Sequence, residues 1–168
     1  QQKYEVILVA AKKDLLDSRL GILTAAGLKP VVVDVNAFAL VNLLDAIPQT
    51  RQETVVVANI GASITNLAIV QNGAPRVVRD VAVAGSAFTR ALQNNLNLDE
   101  AAAEKLKREI GLILSEEEKE KLNAAGDTQK TQISNTLIQV ASDLLGEIHR
   151  STDFFLAHGQ DRTIHKLY

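Results

Sequence analysis

The chain contains no cysteine among its 168 residues. That excludes a disulfide framework, a thiol nucleophile and a thiolate metal site. No apolar run approaches the ~20 residues needed to cross a bilayer as a helix. No signal-peptide pattern opens the chain. Charge of one sign is not in excess: the net charge is −2, which argues against a general nucleic-acid or anionic-membrane binder. Internal repeats and low-complexity segments are also missing. What remains is an ordinary globular composition, 46% apolar and 23% charged.

The strongest local signal is the stretch 55–85, VVVANIGASITNLAIVQNGAPRVVRDVAVAG. Asn72-Gly73 lies between two alternating apolar runs, the pattern of a tight hairpin. The spacing predicts strands over Thr54–Ile60, 64–71 and 76–83. At the other turn, Gly61 and Ala62 leave the backbone almost bare. A large anionic group could lie against its N–H donors.

Around this meander the chain alternates. Residues 4–10 and 31–35 read as strands, with a helix over 14–26 between them. Leu15, Leu16, Leu20, Leu23 and Ala26 carry its apolar spacing, and Gly27 follows as a C-cap. A short helix over 37–46 places Phe38, Val41 and Leu44 inward, with Asp34 and Asn36 as candidate N-caps. Residues 48–53 are polar and mark a subdomain boundary. Helices follow over 87–95, Glu100–Ile110 (ended by Gly111) and Glu116–Ala124, where Ser115 and Glu118 make a capping box. A long helix over 128–157 presents Ile133, Leu137, Val140, Leu144, Ile148 and Phe155 on one stripe, and Gly159 stops it. Residues 163–168 read as the opening of another strand.

Few side chains are spaced for catalysis. Glu104 and Lys107 are three apart and share a helix face, as an ion pair or as ligand contacts. Arg79 and Asp80 could form a strand-end salt bridge. His149 and His158 are nine apart, about 180° around a helix, so they cannot share a metal on one face. No Ser–His–Asp arrangement stands out.

The order of elements is the layout of half a ribonuclease-H-like lobe, an α/β unit that actin-like ATPases use twice. Asn59-Ile60-Gly61-Ala62-Ser63 followed by a strand resembles the second phosphate loop of the actin, Hsp70 and FtsA superfamily. VVVDVNAFAL at 31–40, NGAPRVVRDVAVAG at 72–85, Phe88-Thr89 and residues 103–111 are together similar to the PilM family of type IV pilus assembly proteins. The likeness implies a second actin-like lobe over 54–168, cut before the family's adenosine turn. Residues 1–53 would be the end of an inserted 1C-like subdomain and the return to the first lobe.

The resemblance also implies a site. The backbone N–H groups of Gly61, Ala62 and Ser63 would contact the β- and γ-phosphates of ATP with Mg²⁺, beside Asn59 and Thr65. Glu104 and Lys107 would meet the ribose and adenine, and Gly111 would leave room for the base. The superfamily has Asp where this chain has Asn59, and Thr where it has Ile64. Both losses fall on groups that organise phosphoryl chemistry, so binding without efficient hydrolysis is expected. With half a site, this stretch alone should bind little ATP. The resemblance further implies a cytoplasmic adaptor at the inner-membrane face, with a PilN-like membrane-protein tail and other pilus assembly proteins as partners. Neither nucleic acid nor membrane insertion is expected. Unpaired strand edges could make the isolated stretch self-associate. The competing reading is an active ATPase of the same superfamily, in cell division or filament formation.

Overall fold

A computed structural model describes residues 6–44, 46–47, 50, 52–113, 115–158 and 163–168. The chain divides into two units, Gln1–Val35 and Asn36–Tyr168.

In the first unit, helix α1 (Lys13–Ala25) buries none of its residues. Its end is fixed by Gly27 at φ +77, with Gly27 N–H donating to the Thr24 carbonyl and Leu28 N–H to that of Leu23. This is the double hydrogen bond of a left-handed helix stop, and it takes two carbonyls the helix leaves unpaired. The strands expected over 4–10 and 31–35 do not form among the described residues; Tyr4 and Glu5 lie outside them. Val6, Leu8 and Val31 are 80%, 91% and 84% exposed. Alternation makes these segments fit for a sheet, but among the described residues no strand pairs with them.

The second unit is built on a sheet of order β3-β2-β1-β4. Strands β1 (Thr54–Ile60), β2 (Thr65–Gln71) and β3 (Ala74–Val81) form the expected antiparallel meander. Asn72 and Gly73 both take positive φ, 53° and 76°, as a tight hairpin turn with right-handed twist requires. β2 begins at Thr65, not Ile64, because the Ile64 carbonyl is used to close the preceding turn. The short β4 (Lys166–Leu167) pairs parallel to β1, opposite Val55 and Val56.

Side chains leave a strand alternately to its two faces, and both faces here are covered. On one, Val56, Leu67, Ile69 and Val81 pack on Leu144, Ile148 and Phe155. On the other, Val55, Val57, Ala68 and Val70 pack on Ala37 and Leu44 of α2 (Asn36–Leu44). Phe38, expected inward, is only half-buried. Leu67 and Ile69 are fully buried, each contributing about 2 kcal/mol of transfer free energy.

Helices α3 (Gly85–Leu96), α4 (Glu100–Ile110) and α5 (Glu116–Ala124) precede α6 (Thr128–His158). Asp99 caps α4 by accepting the Ala102 N–H at 2.7 Å. The whole expected stripe of α6 is buried. Its first half, Ile133 and Leu137, packs on Leu92 of α3 and Ala103 of α4, and its second half packs on the sheet. One helix of about 45 Å thus ties the helical cluster to the sheet. Gly159, expected to stop it, lies outside the described residues. The expected Arg79–Asp80 pair does not form, because neighbours on a strand face opposite sides. Arg79 instead reaches Ser151 at 2.8 Å and Glu147 at 3.4 Å on α6, and Asp80 accepts from Asn66 at 2.7 Å.

Candidate functional site

The turn between β1 and β2 is closed by Gly61 N–H donating to the Ile64 carbonyl at 3.1 Å. A Cβ at Gly61 would lie 2.8 Å from that oxygen, so the turn admits only glycine there. The Gly61 and Ala62 carbonyls accept the N–H groups of Gly85 and Ser86 at 3.0 and 2.7 Å. These are the first two residues of α3, whose N-cap residue Ala84 has no side chain to serve them. The turn therefore caps the helix, and the helix fixes the turn. Ala62 and Ser63 are exposed, and among the described residues their N–H groups have no protein partner. Of the three N–H groups expected at a phosphate, two are open and that of Gly61 is used within the turn.

A cleft of about 610 Å³ lies beside this turn, lined by Ala62, Gly85, Ser86, Thr89, Arg90, Gln93, Glu100, Glu104 and Lys107. At its centre the Thr89 hydroxyl donates to Glu104 Oε2 at 2.7 Å and accepts from Lys107 Nζ at 3.0 Å. Lys107 also pairs with Glu104 and donates to the Gly85 carbonyl at 3.3 Å. Arg108 Nε donates to Glu104 Oε1 at 2.9 Å. These donors, Lys107 first, then Thr89 and Arg108, lower the Glu104 carboxyl from its ordinary 4.5 to about 2. Glu104 is thus a fixed carboxylate near neutral pH, suited to accept hydrogen bonds and unsuited to proton transfer. Arg90 is the exposed cation of the cleft, 3.5 Å from Ser86 Oγ.

Of the residues read as candidates, Ala62, Glu104 and Lys107 meet in this cleft. Asn59, Gly61, Ser63, Thr65 and Gly111 are not among its lining residues. Asn59 is exposed, and its amide donates to Asn66 at 3.4 Å. Thr65 is fully buried, with its hydroxyl donating to the Val83 carbonyl at 2.7 Å. Gly111 ends α4 at φ +64, a left-handed conformation that favours glycine. Gly85, Ser86, Thr89, Arg90, Gln93 and Glu100 went unread as site residues. A signal was present: Ser86/Arg90 and Gly85/Thr89/Gln93 recur at steps of four, one helical face.

The histidines are dispersed. His149 pairs with Asp153, His158 Nδ1 lies 2.8 Å from the Phe154 carbonyl, and His165 Nδ1 accepts the Thr54 N–H at 3.0 Å. Among the described residues no group of three side chains is arranged to hold a metal ion.

Comparison with known proteins fits this architecture. A family model described as type IV pilus assembly protein PilM matches residues 1–168. The chain is 30% identical to a chain in the solved PilM–PilN type IV pilus biogenesis complex, with a TM-score of 0.70 over 88% of its length. It is 16% identical to MreB5 of Spiroplasma citri bound to ADP, at a TM-score of 0.61 over 85% of its length. The ethanolamine utilization protein EutJ from Carboxydothermus hydrogenoformans is 15% identical, with a TM-score of 0.58 over 88%. The chain spans 38%, 48% and 45% of those three chains, so it matches less than half of each. The distant matches show the fold, an α/β lobe of the actin-like ATPase type. The match over every residue, together with the turn, meander and helix order described above, shows that the chain belongs to the PilM family of type IV pilus assembly proteins.

Proposed function

We propose that these residues supply one half of a nucleotide site in a full-length assembly adaptor of the type IV pilus machinery. The observation that carries the reading is the 30% identity, over 88% of this chain, to a chain of the PilM–PilN complex. In that adaptor the open N–H groups of Ala62 and Ser63 would face the β- and γ-phosphates, on a turn shaped by Gly61. Glu104 and Lys107 would meet the ribose and base, next to Gly111. Thr65 would brace β2 from beneath. ATP with Mg²⁺ is the proposed ligand, supported by ADP in the structure of MreB5. A neutral amide at Asn59 holds a hydrated Mg²⁺ less firmly than a carboxylate, and Ile64 offers no hydroxyl to a γ-phosphate. The nucleotide would then fix the angle between lobes, and its effect on a partner is a coupling free energy instead of turnover.

Residues 54–168 would be most of the second lobe, and residues 1–53 the end of an inserted subdomain and the return to the first. A PilN-like cytoplasmic tail would bind within the earlier stretch, holding the adaptor at the inner-membrane face among other pilus assembly proteins. The exposed Val6, Leu8, Val31 and Val32 are surface that the rest of a full-length chain, or a second copy, would cover. The test uses the full-length family member that carries these residues. A peptide of the partner's cytoplasmic tail should retain it on beads, more strongly with Mg·ATP, while phosphate release stays slow and rises in Asn59→Asp. Rapid release without that change, or no retention, would overturn the reading.

A further inference from the structure

Within the cleft, Thr89 of α3 directs its hydroxyl to another helix. Inside a helix a threonine commonly bonds the carbonyl four residues back. For Thr89 that carbonyl belongs to Gly85 and lies at 3.3 Å, whereas Glu104 Oε2 of α4 lies at 2.7 Å. A hydroxyl has one proton, and the shorter, charge-assisted bond takes it. Thr89 itself is buried.

Little hydrogen-bonding capacity is left over for a ligand. An ammonium has three protons. Those of Lys107 meet Glu104 Oε2, the Thr89 hydroxyl at 3.0 Å and the Gly85 carbonyl at 3.3 Å. The last bond is the longest, and it is the one a ligand oxygen would take over. Glu104 Oε2 accepts from Lys107 and Thr89, and Oε1 accepts from Arg108 at 2.9 Å. A carboxylate has about four acceptor positions, so one stays open, on Oε1. Glu104 and Lys107 thus offer one acceptor and one exchangeable donor on the same helix face, the complement of adjacent hydroxyls on a sugar. Thr89 ties down the other oxygen, Oε2, from α3.

We propose, resting on the nucleotide reading of this cleft, that Thr89 is a positioning residue: its hydroxyl holds the Glu104 carboxylate, and with it Lys107, in the geometry that meets the sugar. Thr89 touches no ligand atom in this role, because its proton and the lone pair facing Lys107 are already engaged. Without the hydroxyl, Glu104 keeps Lys107 and Arg108, both long side chains of its own helix. The bond that ties the carboxylate to α3 is then lost, and with it the fixed direction of the open acceptor.

The test is calorimetric titration of Mg·ATP into the full-length family member that carries these residues. Thr89→Val keeps the shape and removes the hydroxyl, whereas Thr89→Ser keeps the hydroxyl and removes the methyl group. The valine variant should bind about tenfold more weakly, and the serine variant within about threefold of the parent. A role in packing alone would give the reverse order. In a Glu104→Ala background, Thr89→Val should change affinity less than about threefold, because the carboxylate it acts on is gone. Melting curves check folding, and Thr89→Ala replaces the valine variant if that one unfolds. Parent-like affinity in Thr89→Val, a serine variant as weak as the valine one, or the same loss with and without Glu104 would overturn the positioning role and leave the nucleotide reading standing. A parent that does not bind Mg·ATP would overturn that reading and the positioning role with it.

Discussion

Replacing Gly61 with alanine should destabilise the protein although it adds only a methyl group. The new Cβ would sit 2.8 Å from the Ile64 carbonyl oxygen, where ordinary contact begins at 3.4 Å. The turn must open by roughly 0.6 Å, which stretches the 3.1 Å bond from Gly61 N–H past useful length. That bond contributes about 1 kcal/mol, and strain in a packed turn adds about 1–2 kcal/mol more. The Gly61 carbonyl also holds Gly85 N–H at 3.0 Å, so the shift reaches the start of α3. Against this, alanine narrows the unfolded ensemble and returns about 0.4–1 kcal/mol. The net loss is about 1–2.6 kcal/mol, a fall in melting temperature of roughly 2–10 °C for a domain of this size. Gly146→Ala is the matched comparison. It lies inside α6, and its nearest atom is the end of the flexible Arg150 side chain at 3.5 Å. It should stabilise by about 0.5–1 kcal/mol. Calorimetric melts of both variants give the answer. A Gly61→Ala melt equal to or above the parent's would refute the claim that the turn is closed as described.

Two further predictions bear on the site and its frame. The Glu104 carboxyl is held at about 2, below its ordinary 4.5, so the unfolded state binds more protons in that window. Its stabilising contribution is therefore complete above about pH 4.5 and fades as pH falls towards 2. Melts at stepped pH should show the parent converging on Glu104→Gln over that range, and a difference independent of pH would count against the Lys107–Thr89–Arg108 network. Thr65→Val keeps the shape but leaves the Val83 carbonyl without its 2.7 Å donor, and urea unfolding should show a loss of about 1–2 kcal/mol.

Much of the second unit was legible because its signals are local. Asn72-Gly73 demanded two positive φ angles and has them. Asp99, Gly111 and the spacing between them bounded α4 to the residue, since caps and helical periodicity act within a few positions. The stretches 4–10 and 31–35 carry an equally good strand pattern, but a strand exists only with a partner, and pairing is non-local. The same limit governs the cleft. Glu104 and Lys107 were readable as neighbours on one helix face. Their bond to Thr89, on a different helix, depends on how α3 and α4 pack. Thr65 was read beside the phosphates; that its side chain is fully buried, with its hydroxyl on the Val83 carbonyl, depends on how the chain after β3 returns past β2, which is not local. That the Gly61 N–H is used within the turn needed the coordinates, because small residues at a bend fit a tight turn and an anion cradle equally well.

The most direct test of the nucleotide half-site is calorimetric titration of Mg·ATP into the full-length family member bearing these residues, beside its Lys107→Ala variant. Loss of a charged hydrogen-bond donor at the cleft should weaken binding about tenfold or more while the melting curve stays cooperative. Identical affinity in the two proteins would contradict the assignment of this cleft to the nucleotide.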